Sequence, residues 1–528
     1  MIGHRWVVLC GLALAAALGL SGCDNKSTPG AAGAGTTPPA GGEFSVLAGS
    51  ELRDIEPTLL KAASEAGVRL KLSYAGTLDI VERVNAGERF DAILPPNGAY
   101  PALALATKPL AREKLFYSRV ALGVKPAVVR SLGWDQRPPN WADIAKASGA
   151  GQLRFAMTNP TSSNTGMSAL FAVASAVAGK TEDLSVSEID ATVLKAFLSG
   201  QKLTAGSSGW LADAFVKEAA TLDAMVSYEA VILRTNEKLP TEHRLALVYP
   251  RDGVISADYP LMLLEASRRA DHDKLVAAIK APAVQRQLAS ADFLRPAIPE
   301  VPLSAGLSAV SVAELSFPNR LEVIDAVLAA YQGEWRRPAT SIFVLDVSGS
   351  MSGPRMVAMS DALKVLAGAD ARSATARLTR FQNRERVVLL SFSDDVAAPV
   401  KVNFETAALP AARAEVSAYA DALRPLGGTG IYAALLKAQE LAAQERRDNP
   451  GRFVSIVLLT DGENNRSPNL SAFRTQLAGT QSSRVFPILF GEANQAEMGE
   501  LAQMTGGRVF DSRKASLAQV FKEIRGYQ

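Results

Sequence analysis

Cysteine, histidine and clustered basic residues are scarce in this chain, and each scarcity argues against a class of function. The 528 residues include two cysteines and three histidines, too few for a disulfide-stapled scaffold. Lysine plus arginine number 56 and aspartate plus glutamate 53, so the net charge is only +3. With no basic cluster and 6% aromatic residues, no nucleic-acid surface is predicted. The chain has no nucleophile elbow and no phosphate-binding P-loop, and we predict that the protein is not an enzyme.

The first residues have the pattern of an export signal. Arg5 precedes an apolar run over residues 6–20, which is shorter than the roughly 20 residues that span a membrane. A positive start followed by a short apolar run is typical of a secretory signal peptide. The tetrapeptide Leu20-Ser21-Gly22-Cys23 resembles the lipobox of bacterial lipoproteins, which implies removal of residues 1–22 and lipidation of Cys23. A plain secretory signal with a coincidental cysteine is the alternative.

Lipidation would leave the mature chain without a free thiol. Cys10 lies in the removed segment and the sulfur of Cys23 would carry the lipid, so no disulfide could form. Residues 23–43 are rich in Gly, Ala, Pro, Ser and Thr, and we predict a flexible tether. We therefore expect a periplasmic or other extracytoplasmic protein that is anchored to a membrane by lipid. Asp24 resembles an inner-membrane retention signal and slightly favours that membrane.

Residues 44–303 alternate between predicted strands and helices, which is typical of an α/β domain with a largely parallel sheet. Three segments stand out in this region: Tyr74-Ala75-Gly76-Thr77-Leu78-Asp79, Tyr117-Ser118-Arg119-Val120-Ala121-Leu122-Gly123-Val124 and Tyr249-Pro250-Arg251-Asp252-Gly253. They resemble the type II, two-lobed periplasmic solute-binding proteins. The resemblance implies two lobes with a cleft for a small-molecule solute between them.

Polar residues near predicted strand and helix ends are the candidates for lining that cleft. The loop before a helix that begins near Met167 is rich in hydroxyls, amides and free backbone N–H groups, which favour an anion or a polar ligand. Each candidate has an alternative role as a helix cap or turn residue, and no particular solute is indicated. The candidates are Ser50 and Thr77 in the first lobe and Ser163, Asn164, Thr165 and Tyr228 in the second.

Residues 304–340 form a predicted connector with one helix. The sequence Ser316-Phe317-Pro318-Asn319-Arg320 is typical of a helix start. Leu321, Ile324, Leu328 and Tyr331 follow at helical spacing. We expect this helix to pack on one of the two flanking domains.

The last segment, residues 341–528, has apolar strands separated by amphipathic helices. The runs 342–345, 454–459 and 485–490 are nearly unbroken apolar stretches, typical of parallel strands covered on both faces. This pattern predicts a doubly wound sheet, whose ligands bind at the carboxyl ends of the strands. Because Pro487 lacks the N–H of an interior strand, we expect the strand to begin after it or to bulge there.

Three short loops in this segment carry oxygen ligands. They are Asp346-Val347-Ser348-Gly349-Ser350, Gly428-Thr429-Gly430 and Thr460-Asp461-Gly462. Such hard oxygen donors suit Mg²⁺, and two carboxylates are too few to saturate its octahedral shell. The three loops, in this order and at these element ends, resemble the metal-ion-dependent adhesion site of von Willebrand factor A (VWA) domains.

The resemblance to VWA domains implies a role for each ligand. Ser348 and Ser350 would bind Mg²⁺ through their hydroxyls. Asp346 and Asp461 would act mainly through water, and Thr429 either directly or through water. Mn²⁺ or Ca²⁺ could take the same site. The open position would accept a carboxylate from a protein partner, so the metal would bridge two proteins and would not catalyse a reaction.

Two functions fit this combination of domains. The first is a membrane-anchored binding protein whose metal site recruits a protein partner and is coupled to the solute-binding-like module. The alternative is a solute receptor for a membrane transporter, with the VWA domain as a docking accessory. Tight small-molecule binding would separate the two.

Overall fold

The computed structural model describes residues 42–307, 311–369, 372–513 and 516–527, apart from the side chains of residues 374–375. The predicted signal peptide, Cys23 and nearly all of the predicted tether lie outside these residues. Residues 41–528 form one compact unit. Within the described ranges, no helix has both the length and the apolar character needed to cross a membrane.

The first domain alternates strands and helices along its whole length. Its strands are β1 (Phe44–Gly49), β2 (Leu70–Ala75), β3 (Ala92–Leu94), β4 (Ala111–Lys114), β5 (Phe116–Val124), β6 (Phe155–Thr158), β7 (Gln201–Ala205), β8 (Ala224–Tyr228), β9 (Ala246–Val248), β10 (Ser256–Ala257), β11 (Pro260–Leu263) and β12 (Arg295–Pro296). Its helices are α1 (Glu56–Glu65), α2 (Thr77–Asn85), α3 (Ala99–Ala104), α4 (Pro126–Ser131), α5 (Trp141–Gly149), α6 (Asn164–Val177), α7 (Ala191–Ser199), α8 (Ser208–Glu218), α9 (Glu229–Lys238), α10 (Arg269–Ile279) and α11 (Pro282–Asp292).

These strands form two separate sheets, one in each lobe. The first lobe has the order β2-β1-β3-β11-β4, and the second has β10-β5-β8-β6-β7 with β9 and β12 also paired to β5. The chain passes from the first sheet to the second between β4 and β5, returns between β10 and β11, and enters the second sheet again at β12. Tyr259, on this return path, has a left-handed φ of 33°. The two-lobed α/β architecture predicted for this region is confirmed.

The rest of the chain adds one more sheet with its covering helices. The strands are β13 (Ala339–Asp346), β14 (Glu385–Phe392), β15 (Val400–Phe404), β16 (Phe453–Thr460), β17 (Val485–Leu489) and β18 (Phe510–Asp511). The helices are α12 (Leu321–Ala330), α13 (Pro354–Ala367), α14 (Ala374–Thr379), α15 (Leu409–Ala422), α16 (Ile431–Asp448), α17 (Leu470–Leu477), α18 (Gln495–Thr505) and α19 (Leu517–Arg525).

The third sheet is doubly wound. Its order is β15-β14-β13-β16-β17-β18, and every neighbouring pair is parallel except β14 with β15. The central strand β13 is buried over its whole length. Phe343 and Leu345 belong to one hydrophobic core and Ile342 and Val344 to another, because alternate side chains of a strand point to opposite faces. Apolar side chains therefore cover both faces, as the unbroken apolar runs predicted.

Strand β17 runs through Pro487 without interruption, so the expectation of a late start or a bulge was wrong. Pro487 pairs in parallel register with Leu458 of β16. The carbonyl of Arg484 accepts the Ile456 N–H, so even-numbered residues of this strand face β16 and Pro487 faces the other side. There β18 pairs only with Ile488 and Leu489. The missing N–H of Pro487 therefore removes no ladder hydrogen bond.

The connector helix α12 packs on both flanking domains rather than on one. It contacts α3 of the first lobe and α14 beside the third sheet. Its buried side chains Ile324 and Leu328 join the large hydrophobic core of the first domain, which also takes in Leu378 from α14. A helix that fills the space between two domains holds them together more firmly than a free linker would.

Candidate functional site

The five predicted metal ligands lie at one edge of the third sheet. Asp346 ends β13, and Ser348 and Ser350 follow it. Asp461 comes directly after β16, and Thr429 lies two residues before α16. Strands β13 and β16 are parallel neighbours, so their carboxyl ends meet. The topology therefore brings together residues that are more than 80 positions apart, by the difference between 346 and 429.

Short distances connect the three loops. The hydroxyls of Ser348 and Ser350 are 3.0 Å apart, and Ser350 Oγ donates to Asp461 Oδ1 at 2.7 Å. A Cβ at Gly462 would lie 3.8 Å from Ser350 Oγ and 3.9 Å from Thr429 Oγ1. The hydroxyls of Ser350 and Thr429 thus both lie close to the third loop.

Asp346 is a buried carboxylate in this cluster. Its Oδ1 accepts the Ser348 N–H at 2.8 Å, and its Oδ2 accepts the Thr460 hydroxyl at 2.6 Å. Burial raises the pKa of Asp346, the hydrogen bonds from Ser348 and Thr460 oppose that rise, and the charge of Asp461 adds to it. Hydrogen bonds therefore fix the carboxylate in position, but little positive charge lies near it to balance its negative charge.

Arg355 is a neighbour of the metal ligands that sequence reasoning missed. It lies in the first turn of α13, and its Nη1 is 2.5 Å from Asp461 Oδ2. The Asp461 side chain is fully buried, while Arg355 remains about one third exposed at 35%. No spacing rule in the sequence relates residue 355 to residue 461, since the pairing depends on where helix α13 begins above the sheet edge.

A further set of polar contacts holds the Thr429 loop. Asn465 Oδ1 accepts the Thr429 N–H at 2.8 Å, and Asp394 Oδ1 accepts the Gly428 N–H at 3.0 Å. Arg466 Nε donates to the same Asp394 oxygen at 2.7 Å. These contacts orient the loop from outside the ligand set, as supporting hydrogen bonds commonly do around metal ligands.

The chemistry of the donors fits a hard divalent cation. The ligand set is made only of hydroxyl and carboxylate oxygens, which Mg²⁺, Mn²⁺ and Ca²⁺ prefer and which softer metals do not. Within the described residues, no group of three or more His, Cys, Asp and Glu side chains could hold a metal ion, so a site here must depend on the hydroxyls. Two buried carboxylates beside one guanidinium would be stabilised by an added cation.

A second candidate site is the cavity between the two lobes. Its volume is about 570 Å³, within the range of small-molecule sites. Side chains from both lobes and from the last domain border it. Among the residues that border it are Ser50, Arg53, Tyr74, Asp79, Glu82, Ser207 and Trp210 of the two lobes and Arg508, Lys522, Glu523 and Tyr527 of the last domain.

Of the six residues predicted for the cleft, Ser50 borders this cavity, and the other five are buried and do not border it. Asn164 Nδ2 donates to the Tyr228 hydroxyl at 2.8 Å, and the hydroxyls of Thr165 and Ser208 are 2.5 Å apart. The structure thus brings Asn164 and Tyr228 together. Thr77 Oγ1 and Asn164 Oδ1 are buried without a hydrogen-bond partner among the described atoms.

The two lobes touch at one edge of the cavity. A Cβ on Gly76 of the first lobe would lie 1.9 Å from the carbonyl oxygen of Ser162 in the second lobe. Only glycine can sit this close to backbone. The cleft is therefore closed at this point, and the space that remains lies beside it.

Two family models match separate parts of the chain. Residues 45–294 match the model described as a bacterial extracellular solute-binding protein, and residues 342–523 match the von Willebrand factor type A domain. The chain therefore combines a solute-binding domain with a C-terminal VWA domain, as the sequence motifs predicted. Both families are of the binding or adhesion type, and the first indicates an extracytoplasmic location.

Two curated relatives each match about a third of the chain. The inter-alpha-trypsin inhibitor heavy chain H4 of Sus scrofa is 30% identical over 192 residues, which are 34% of this chain and 19% of the relative. The Homo sapiens protein of the same name is 29% identical over 190 residues, 34% of this chain and 18% of the relative. The match thus spans about a fifth of the length of these relatives.

Two solved structures show a distant likeness to parts of the chain. The ferric binding protein from Campylobacter jejuni is 15% identical with a TM-score of 0.42, and covers 55% of this chain and 98% of its own. The von Willebrand factor type A protein from Catenulispora acidiphila is 20% identical with a TM-score of 0.29, and covers 36% of this chain and 42% of its own. At these TM-scores the likeness says nothing about what this chain binds.

Proposed function

We propose that this protein is a lipid-anchored extracytoplasmic binding protein whose VWA domain recruits a protein partner through Mg²⁺. The observation that supports the proposal most strongly is the gathering of Asp346, Ser348, Ser350, Thr429 and Asp461 around one small volume at the sheet edge. Ser350 is exposed, so a partner can reach the site from solvent.

The chain's own residues would hold the metal and leave it able to bind a partner. When bound, Mg²⁺ would offer a coordination position to a carboxylate oxygen. Ser348 and Ser350 would contribute neutral oxygens, while Asp346 and Asp461 would supply the negative charge. Few charged ligands leave the ion electrophilic, which favours a carboxylate from outside.

An apolar side chain beside the site supports a protein as the partner. Leu426 is 78% exposed, and its N–H bonds to the carbonyl of Val347 in the first metal loop at 2.8 Å. A single exposed apolar side chain is ordinary on a protein surface, but this one lies where a partner held by the metal would contact it. A partner would place its carboxylate on the metal and an apolar group on Leu426.

Affinity capture from a membrane extract tests the proposal. The purified chain is used with Mg²⁺, with EDTA, and as the Asp346→Ala variant, and Asp361→Ala on the exposed face of α13 is the matched control. We expect a protein that is retained only by the Mg²⁺-loaded wild type and by Asp361→Ala. The same proteins in all four samples would refute recruitment through the metal.

The interlobe cavity supports a second candidate, a solute receptor for a membrane transporter with the VWA domain as a docking accessory. The cavity of about 570 Å³ can enclose a small molecule. Isothermal titration of the purified chain with candidate solutes tests this function. Binding that is unchanged by EDTA and by Asp346→Ala would favour the receptor.

The lipid anchor rests on the sequence around Cys23. Leu20-Ser21-Gly22-Cys23 precedes a stretch rich in Gly, Pro and Ala, which suits a tether. Cells that express the wild type should incorporate labelled fatty acid into the protein, and cells that express Cys23→Ser should not. Equal labelling would remove the anchor from the proposal.

A further inference from the structure

One wall of the interlobe cavity belongs to the VWA domain. Helix α19 and Tyr527 border the cavity together with both lobes. Lys522 of α19 pairs with Glu82 of the first lobe at 3.0 Å, and Asn159 of the second lobe donates to the carbonyl of Arg525 at 3.4 Å. A Cβ on Gly526 would lie 2.8 Å from the Cα of Gly206. The last helix of the chain thus contacts both lobes at the cavity.

Most charged groups around the cavity are paired with one another. Arg83 pairs with Glu88, Lys522 with Glu82, and Arg508 with Glu523. The two remaining charged residues that border the cavity are Arg53 and Asp79. Within the described part of the chain, neither has an oppositely charged group at salt-bridge distance. One guanidinium and one carboxylate therefore border the cavity without a direct ion pair, although the charges of Arg83 and Lys522 act on Asp79 from a longer distance.

Aromatic rings hold the Arg53 guanidinium in place. It lies 5.1 Å from the centroid of Tyr74 and 5.8 Å from that of Trp210. The guanidinium of Arg508, in the VWA domain, lies 3.6 Å from the centroid of the same Trp210 ring. Such cation–π contacts orient a guanidinium without neutralising it, so Arg53 keeps its full charge available to an anionic group.

A buried hydroxyl also points to a ligand. Ser207, in the second lobe, borders the cavity and is 9% exposed. Its Oγ has no hydrogen-bond partner among the described atoms. Leaving a buried hydroxyl without a partner is costly, and the Ser207 side chain would gain the missing hydrogen bond by turning toward a polar ligand in the cavity.

We propose that this cavity binds a small zwitterion of the α-amino acid or dipeptide class, and that the ligand contacts the VWA domain as well as both lobes. Its ammonium group would face Asp79, and its carboxylate would face Arg53. The proposal rests on the solute-binding part of the proposed function and does not depend on the metal site.

The state of Asp79 agrees with a missing cation. Burial raises the pKa of Asp79 to about 6, Arg83 and Lys522 oppose the rise, and Glu82 and Glu523 add to it. An ammonium group beside Asp79 would offset the cost of its burial. Ligand binding should therefore weaken as the pH falls below about 6.

A ligand in the cavity would also affect how the VWA domain is held, because that domain forms one wall of the cavity. Because Lys522, Glu523 and Tyr527 border the cavity, a ligand there would contact α19 and stabilise it against the two lobes. Any ligand that binds only this assembled state shifts the equilibrium toward it. The proposed zwitterion would thus hold the VWA domain in one position relative to the first domain.

Isothermal titration of the purified full-length chain tests the ligand class. The probes are the common α-amino acids and the dipeptide Gly-Gly, each at about 1 mM. We expect at least one to bind, and its amide and its N-acetyl derivative to bind about 10- to 100-fold more weakly, since each lacks one charge-assisted contact. Arg53→Met and Asp79→Asn should lose affinity by a similar factor. Arg89→Met, on the exposed surface of the first lobe, should not.

Hydrogen–deuterium exchange of the same protein tests the third wall. The bound zwitterion should slow exchange in residues 517–525. Thermal unfolding of each variant confirms that it is folded.

The ligand assignment is overturned if no zwitterion binds, if the blocked derivatives bind equally well, or if the folded variants keep wild-type affinity. Unchanged exchange in α19 would overturn the contact with the VWA domain. Binding of an uncharged solute would support the receptor function but contradict the proposal that the ligand is a zwitterion. The outcome of the Mg²⁺ experiment does not depend on any of these results.

Discussion

The metal site and the interlobe cavity are built in opposite ways. All five predicted metal ligands lie at a strand end or on loops at one edge of a sheet, and the parallel pairing of β13 with β16 brings two of the three segments together. The cavity has walls from two lobes and from the last helix of another domain. A site at the ends of neighbouring strands survives as long as its sheet does. A site between packed bodies lasts only while those bodies stay packed.

The buried ion cluster around Glu385, which ties the connector and the last helix to the third sheet, offers the most severe test. Glu385 in β14 is buried and pairs with Arg336 of the connector and with Arg525 of α19. In Glu385→Gln two buried guanidiniums would lose their counter-charge, which typically costs about 3–5 kcal/mol. We expect that loss in the free energy of unfolding from denaturant titration at neutral pH. The exposed Glu405→Gln on the same domain is the control and should change stability by less than about 0.5 kcal/mol.

The pH dependence of the same cluster has a definite sign. Burial would raise the pKa of Glu385, but the charges of Arg525 and Arg336 outweigh burial and hold it below its usual value. A carboxyl whose pKa is depressed by folding stabilises the protein above its unfolded pKa and loses that effect as the pH falls. The gap in stability between wild type and Glu385→Gln should therefore narrow below about pH 4.5. A gap that is small at pH 7 would contradict a buried ionic cluster.

This contrast explains why the sequence predicted which residues meet at the sheet edge but did not predict the cavity. The apolar runs around Phe343 and Leu458 predicted parallel strands, and their loops carried recognisable ligands, so the gathering of Asp346 and Asp461 followed from topology. The cavity did not follow in the same way. Ser50 borders the cavity, whereas Asn164 and Tyr228 bond to each other inside the second lobe. Contacts between separately folded bodies leave no periodic pattern in the sequence.

Arg355 and Lys522 show the same limit at the level of single side chains. Each pairs with a residue more than 100 positions away, and each looks like an ordinary solvated helix residue in the sequence. At Pro487 a general rule about strands gave a wrong expectation. The neighbouring strand on that side, β18, is too short to pair with residue 487, so no N–H is needed there. Local rules describe elements well, and they miss what depends on the length of a neighbouring strand.

Mg²⁺ should stabilise the VWA domain without needing the cavity. A ligand that binds only the folded state at about 100 times its dissociation constant adds about 2.7 kcal/mol. We expect a higher midpoint of thermal unfolding in Mg²⁺ than in EDTA, and no such rise in Asp346→Ala. Asp361→Ala is the control. A rise of the same size in Asp346→Ala would place the bound ion elsewhere.

A buried carboxyl at the lobe junction offers a smaller test on the cavity side. Burial raises the pKa of Glu51 to about 7, with Tyr259 and Arg234 opposing and Asp54 adding to the rise. Its Oε1 has no hydrogen-bond partner among the described atoms. Between about pH 4.5 and 7 the folded state holds a proton that the unfolded state releases, so stability falls as the pH rises through this window.

Glu51→Gln should remove that dependence. The variant should be more stable than wild type by about 1–2 kcal/mol at pH 8, and the advantage should shrink toward pH 5. Thermal unfolding across this range measures it, and the exposed Glu65→Gln on α1 should leave the pH profile unchanged. An advantage that does not vary with pH would mean that Glu51 is ionised in the folded state.

A milder test concerns the candidate metal site itself. Arg355 Nη1 lies 2.5 Å from Asp461 Oδ2, so its positive charge competes with a cation for the same carboxylate. Since the guanidinium is about one third exposed at 35%, water screens it and the pair contributes no more than about 1 kcal/mol. Arg355→Met should therefore raise the affinity for Mg²⁺ by no more than about fivefold, measured by titration calorimetry.

Arg474→Met removes an equal charge from α17 and controls for the net charge of the domain. Weaker Mg²⁺ binding in Arg355→Met would show that the guanidinium orients Asp461 for the metal instead of competing with it. The cavity variants Arg53→Met and Asp79→Asn should leave Mg²⁺ affinity unchanged. A change in Mg²⁺ affinity in these variants would mean that the two sites communicate through α19. The site at the sheet edge would then also depend on how the domains pack, and the two sites would differ only in which elements form them.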